Sequence, residues 1–132
     1  MRAPVELLWR GLIEPGLLTQ WYGPGARVDA KLGGSYVVRP EPDLEREAHI
    51  DVFEAGRRLR LIYMPPRDLP PTNTVMIDDF ILDTERDAAV LRLLGSGYPA
   101  EEAWDSYYQR LRGGWGLTLA RLKVCIEKLA RG

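Results

Sequence analysis

The chain has 132 residues, 18 basic and 19 acidic side chains, a net charge of -1, and 45% hydrophobic residues. That length is expected to form one domain, 1–132, burying roughly two thirds of its unfolded surface in one core. The near balance of charge lacks the basic footprint of a nucleic-acid binder; no apolar run reaches the ~18 residues that span a bilayer, and charges interrupt the apolar part of "MRAPVELLWRGLIEP", unlike a secretion signal.

No membrane insertion and a cytoplasmic location are therefore expected. A single cysteine, Cys125, excludes an internal disulfide, and with one histidine, His49, a Cys/His metal site lacks partners. No metal or cofactor is expected.

In "PVELLWRGLI", Val5, Leu8, Trp9 and Leu12 recur at i, i+3, i+4 and i+7, the spacing of one helical face. Glu14-Pro15-Gly16 ends that helix, because proline disfavours helical geometry in the residue before it and suits the first position of a new one. A second short helix, from Pro15 to about Tyr22, would bury Leu17, Leu18 and Trp21 until Gly23-Pro24-Gly25 stops it. The period then changes to two. "ARVDAKL" and "SYVVR" flank Gly33-Gly34, a pair able to supply the positive φ angles of a two-residue hairpin turn.

"AHIDVFEA" and "RLRLIYM" follow, with a turn at Gly56-Arg57, and then "PPRDLPPTN" reads as a stiff exposed loop. "TVMIDDFILD" and "AAVLRLLGSG" are joined by "TERD". Six strands in short-turn succession imply an antiparallel sheet. The last third is helical: Trp104, Tyr108, Leu111, Trp115, Leu119, Leu122, Ile126 and Leu129 repeat at steps of three and four through Gly113-Gly114. Glycines inside a helix cost about 1 kcal/mol each relative to alanine, which suggests a close approach at that point.

The stretches "ELLWRGLIEPGLLTQWYGP", "GGSYVV", "DVFEAGRRLRLIY", "LLGSGY" and "GGWGLTLARLKVCIEKL" lie in the order and spacing of a known family. In them the chain resembles the activator of heat-shock protein 90 ATPase homologue-like proteins, within the START and polyketide-cyclase superfamily. The resemblance implies an α+β helix-grip fold: a curved antiparallel sheet wrapped around the long C-terminal helix, with a cavity between them. Trp21 would plug the end of the grip. The family's usual first strand is expected to be missing, leaving a six-stranded sheet with an open edge that either a second copy of the chain, as a homodimer, or a shifted segment would cover.

Counting back from "GSGY" places Met76, Asp78 and Phe80 on the inner face and Asp79 outside. A carboxylate in an apolar cavity could exchange protons or hold a polar ligand group; alternatively Asp78 bonds an arginine such as Arg60 or Arg92. His49 and Asp51 share a strand face, but with no nucleophile nearby they read as exposed strand residues. Cys125 reads as a small buried hydrophobe.

Tyr36, Tyr63 and Trp115 fall on inward faces, where they either fill the core or line a pocket. With Met76, Asp78, Phe80, Leu93, Leu111 and Leu119 they form the candidate ligand-binding set; no residue is assigned as catalytic. The resulting expectation is a protein that holds a small apolar or amphipathic ligand. A cyclase or hydratase acting on an aromatic or polyketide-like substrate is the alternative. A chaperone-interaction domain ranks third, because the family's name comes from chains in which this fold is one domain of several.

Overall fold

A computed structural model describes residues 2–65, 69, 74–86, 88–97 and 102–131, without the side chains of 111–114. Most of the proline-rich stretch 65–73, and Tyr98 of "GSGY", lie outside the described residues. Strand β1 (Arg2–Pro4) leads directly into helix α1 (Val5–Ile13), and α2 (Pro15–Trp21) follows after one extended residue, Glu14. Pro15 starts α2 as its geometry allows. The strands are β2 (Arg27–Val28), β3 (Ser35–Glu41), β4 (Leu44–Glu54), β5 (Arg58–Tyr63), β6 (Ile77–Glu85) and β7 (Ala88–Ser96). A single 3-10 turn at Glu102–Trp104 then enters α3 (Asp105–Ala130), 26 residues or about 39 Å long.

All seven strands form one antiparallel sheet in the order β1-β7-β6-β5-β4-β3-β2. The architecture is the expected α+β helix-grip, corrected in strand number. The expected absence of the first strand is overturned: Arg2, Ala3 and Pro4 pair with Val90, Ala89 and Ala88 at the start of β7. Three residues ending in proline carry too little alternation to read as a strand; only pairing with β7 makes them one. The strand whose loss was to leave an edge for a homodimer is therefore present.

The first hairpin also differs. β2 keeps only two residues of "ARVDAKL", and 29–34 form a loop rather than a two-residue turn. Gly33 has φ 80°, and a Cβ on Gly34 would lie 1.9 Å from the Asp29 carbonyl oxygen, so both glycines are required by the way this loop folds onto itself.

Period-two alternation delivers the sheet's inner face: Tyr36 and Val38 from β3; Leu44, Arg46, Ala48 and Ile50 from β4; Leu59, Leu61 and Tyr63 from β5; and Asp78, Phe80 and Leu82 from β6 are all buried. Asp51 is an extra residue between the Ile50–Leu61 and Val52–Arg60 pairs, and this bulge changes the phase of β4. Beyond it Phe53 meets Trp9 of α1 edge-on at 5.4 Å. α3 contributes Leu122, Cys125 and Ile126 to the core. It also packs closely on α1, where a Cβ on Gly11 would come within 3.1 Å of Ile126.

Candidate functional site: a buried ion pair behind a narrow cleft

Arg46 is the centre of the interior. Its guanidinium starts on β4, lies over the ring of Tyr63 on β5 with its carbon 3.7 Å from the ring centroid, and reaches Asp78 on β6. Nη1 donates to Asp78 Oδ2 and to the Tyr22 hydroxyl, each at 3.1 Å. The side chains of Arg46 and Asp78 are 0% and 2% exposed. Removing two such charges from water costs several kcal/mol per ion, which only close pairing and further hydrogen bonds can offset. Tyr22, at the end of α2, and the π face of Tyr63 supply that compensation.

Tyr22 joins this cluster to the surface. Its ring meets Trp115 of α3 edge-on at 5.2 Å, and Trp115 in turn meets Phe80 of β6 at 6.3 Å. Tyr22 and Trp115 form the inner wall of a cleft of about 50 Å³, whose outer wall is Pro40, Glu41 and Leu44 of the β3–β4 hairpin with Arg110 and Thr118 of α3. Arg110 bonds both Glu41 and Asp43, the latter at 2.9 Å, and so ties α3 to the hairpin across the cleft mouth. Hydrogen bonding to Glu41 raises the Arg110 pKa further, keeping it charged.

Burial pushes the Tyr22 hydroxyl above its ordinary 10.0, against the opposing pull of Arg46. Burial raises Tyr36 well above 10.0, with Tyr22 and Asp78 adding to the effect. Both are neutral hydrogen-bonding groups at physiological pH. Burial likewise raises the Cys125 thiol, which favours the unreactive protonated form.

Of the candidate set, Trp115 lines the cleft and is half-buried. Tyr63, Asp78 and Phe80 gather behind it around Arg46. Met76 is buried just before β6. Tyr36 is turned to a structural bond, its hydroxyl donating to the Leu12 carbonyl at 2.6 Å. Leu93 on β7 and Leu119 on α3 are half-buried against the core. Leu111 lies in α3, but its side chain and the surroundings of Gly113-Gly114 are outside the described residues.

The arginine partners expected for Asp78 are engaged elsewhere, Arg60 with Asp51 and Arg92 with Asp83. Asp79 faces outward to Arg58 at 2.6 Å. His49 is exposed. Trp21 is buried and donates its indole N–H to the Gly11 carbonyl at 2.8 Å.

The family of Activator of Hsp90 ATPase homolog 1-like proteins matches residues 2–127. The chain belongs to this family. Solved structures similar to this Activator of Hsp90 ATPase homolog 1-like chain include protein MLL2253 from Mesorhizobium loti, at 17% identity and TM-score 0.80, covering 97% of this chain and 95% of that one. The Aha1 dimer from Colwellia psychrerythraea matches at 14% identity and TM-score 0.76, covering 96% and 93%. CalU16 from Micromonospora echinospora matches at 20% identity and TM-score 0.72, covering 99% and 76%. At these identities the structures share the fold. No curated protein sequence matches the chain. Among the described residues no helix is long and apolar enough to cross a membrane.

Proposed function

We propose that the protein binds a small apolar or amphipathic molecule between α3 and the concave face of the sheet. The observation that carries this reading is the placement of the Arg46–Asp78 pair: a costly buried charge cluster lies directly behind Tyr22 and Trp115, the aromatic wall of the cleft. Apolar walls with a few convergent polar groups are the usual composition of a ligand site. In this arrangement Trp115 presents ring surface backed by Phe80, and Tyr22 is held in place by Arg46. Asp78 is committed to Arg46, which favours a positioning role for it over proton transfer, and so favours binding over a cyclase or hydratase activity.

Native mass spectrometry of freshly purified protein tests for a retained ligand, and titration with anilinonaphthalene sulfonate followed by tryptophan fluorescence tests the site. Replacing Trp115 with Leu is expected to weaken dye binding several-fold while the urea midpoint moves little. A large loss of stability with unchanged dye affinity returns Trp115 to a packing role and overturns the reading.

A further inference from the structure

Alongside α3, a second concavity of about 540 Å³ runs between the helix and the end of α2. Gln20, Leu117, Ala120, Arg121, Val124, Cys125 and Lys128 line it, with the buried Cys125 donating to Gln20 Oε1 at 3.7 Å. Leu117 and Val124 stand one heptad apart and are 61% and 50% exposed, while the neighbouring Leu122, Cys125 and Ile126 carry the core contacts of the same helix. The fold thus leaves an apolar pair uncovered in the middle of its longest helix. Gly116, one turn before Ala120, adds to this: a Cβ there would meet nothing within 4 Å, so packing within the chain gives no reason for a residue that costs a helix about 1 kcal/mol. Glycine and alanine one turn apart allow another backbone to approach closely.

The charges select the occupant. The groove's charged lining is Arg121 and Lys128, with no carboxylate, although the whole chain is slightly acidic. Glu127, at the margin of this face, has Lys123 as its ion-pair neighbour at 4.0 Å. A second copy docking through the same patch would set these cations against each other, because a two-fold contact is self-complementary. A membrane surface would call for protruding large apolar side chains, whereas this surface is concave and offers only Leu117, Val124 and Ala120.

We propose that the outer face of α3 is a docking groove for an acidic amphipathic helix of a partner protein. The partner's aliphatic side chains would lie over Leu117 and Val124 and its carboxylates would meet Arg121 and Lys128, the usual helix-in-groove arrangement. The groove and the cleft share no lining residue, and this assignment is independent of the ligand reading.

The test uses a synthetic helical peptide with leucine at i, i+3, i+4 and i+7 and glutamate on both flanks, and a second peptide with lysine replacing each glutamate. Amide NMR shifts on adding the acidic peptide are expected to concentrate at 117–128. Joint replacement Arg121→Glu and Lys128→Glu is expected to weaken its binding about tenfold and to favour the basic peptide instead, the size expected when two rim pairs become repulsive. Val124→Asp, at an exposed position, is expected to abolish binding while the circular dichroism spectrum is unchanged. The proposal is overturned if both peptides bind the wild-type protein equally or the shifts fall elsewhere. It is equally overturned if the face instead drives self-association in sedimentation, or if phosphatidylserine vesicles bind in a Val124-dependent way and the peptide does not.

Discussion

Arg46 and Asp78 belong to strands on either side of β5, and their side chains meet at 3.1 Å over the ring of Tyr63, buried from solvent. Deleting one member strands the other as an uncompensated charge. Arg46→Met and Asp78→Leu are each expected to cost about 3–5 kcal/mol, whereas the two combined are expected to cost less than either alone. Urea unfolding of the two single variants and the double gives the cycle. Additive losses would show that the pair does not act as a unit.

Tyr36 poses the choice between core and pocket directly. Its hydroxyl donates to the Leu12 carbonyl at 2.6 Å, so Tyr36→Phe leaves a buried acceptor without that bond and is expected to cost about 1–3 kcal/mol. Dye affinity should be unchanged. A variant of full stability that binds dye more weakly would move Tyr36 from the framework to the ligand wall.

The period-three-and-four and period-two patterns were sufficient for α1, α2, α3 and β3 to β7, because each buries a face that its own spacing marks, whereas "ARVDAKL" keeps only Arg27–Val28 as strand and buries no face. β1 was illegible because Arg2–Pro4 owes its conformation to pairing with β7, a contact between the first and last strands of the chain. The centre of the site was missed for a different reason. Arg46 stands in phase with Leu44, Ala48 and Ile50, and extending the alternation of β4 back from Ala48 would have placed it inside. A charged residue ordinarily marks the solvent face, and nothing local announces that Asp78, 32 residues away, neutralises it. Likewise Tyr22 reads as the frayed end of α2, yet it is 2% exposed and touches both Arg46 and Trp115.

The buried tyrosines give the protein an alkaline limit. Tyr22 and Tyr36 are raised above the 10.0 at which they titrate when exposed, so on raising the pH the unfolded chain loses its protons first. Their contribution is complete below about pH 10 and is lost as the pH climbs from there toward the folded-state values. The urea midpoint is expected to fall above about pH 10, and Tyr36→Phe, though less stable overall, to fall less steeply. Parallel pH profiles for the two proteins would contradict this.

Two glycines should respond in opposite directions to the same substitution. A Cβ on Gly23 would sit 1.8 Å from the Arg39 carbonyl oxygen, so Gly23→Ala must displace the β3 backbone next to Pro40 and is expected to cost about 3 kcal/mol or more. Gly16, in the first turn of α2, has nothing within 4 Å of that position, and Gly16→Ala is expected to raise stability by up to about 1 kcal/mol. Thermal melts of the two variants decide it; equal effects would contradict the packing described.

The ion pairs at the cleft mouth make a prediction about rate. A cleft of about 50 Å³ is far below the roughly 300 Å³ at which ligand pockets begin, so under the proposed binding role a ligand would enter only when the β3–β4 hairpin parts from α3. Arg110 opposes that motion through Glu41 and Asp43. Its side chain is 37% exposed, so screening limits what these bonds add to global stability, and Arg110→Ala is expected to cost under about 1 kcal/mol. Opening breaks the same bonds without unfolding anything else, so the variant is expected to take up anilinonaphthalene sulfonate several-fold faster in stopped-flow fluorescence. Added salt should accelerate uptake by the wild-type protein, because it weakens the tie, and leave the variant nearly unaffected. Joint replacement Glu41→Gln and Asp43→Asn should reproduce the faster uptake from the other side of the cleft. Uptake that is indifferent to Arg110, to the two carboxylates and to salt would place the entrance elsewhere on the molecule.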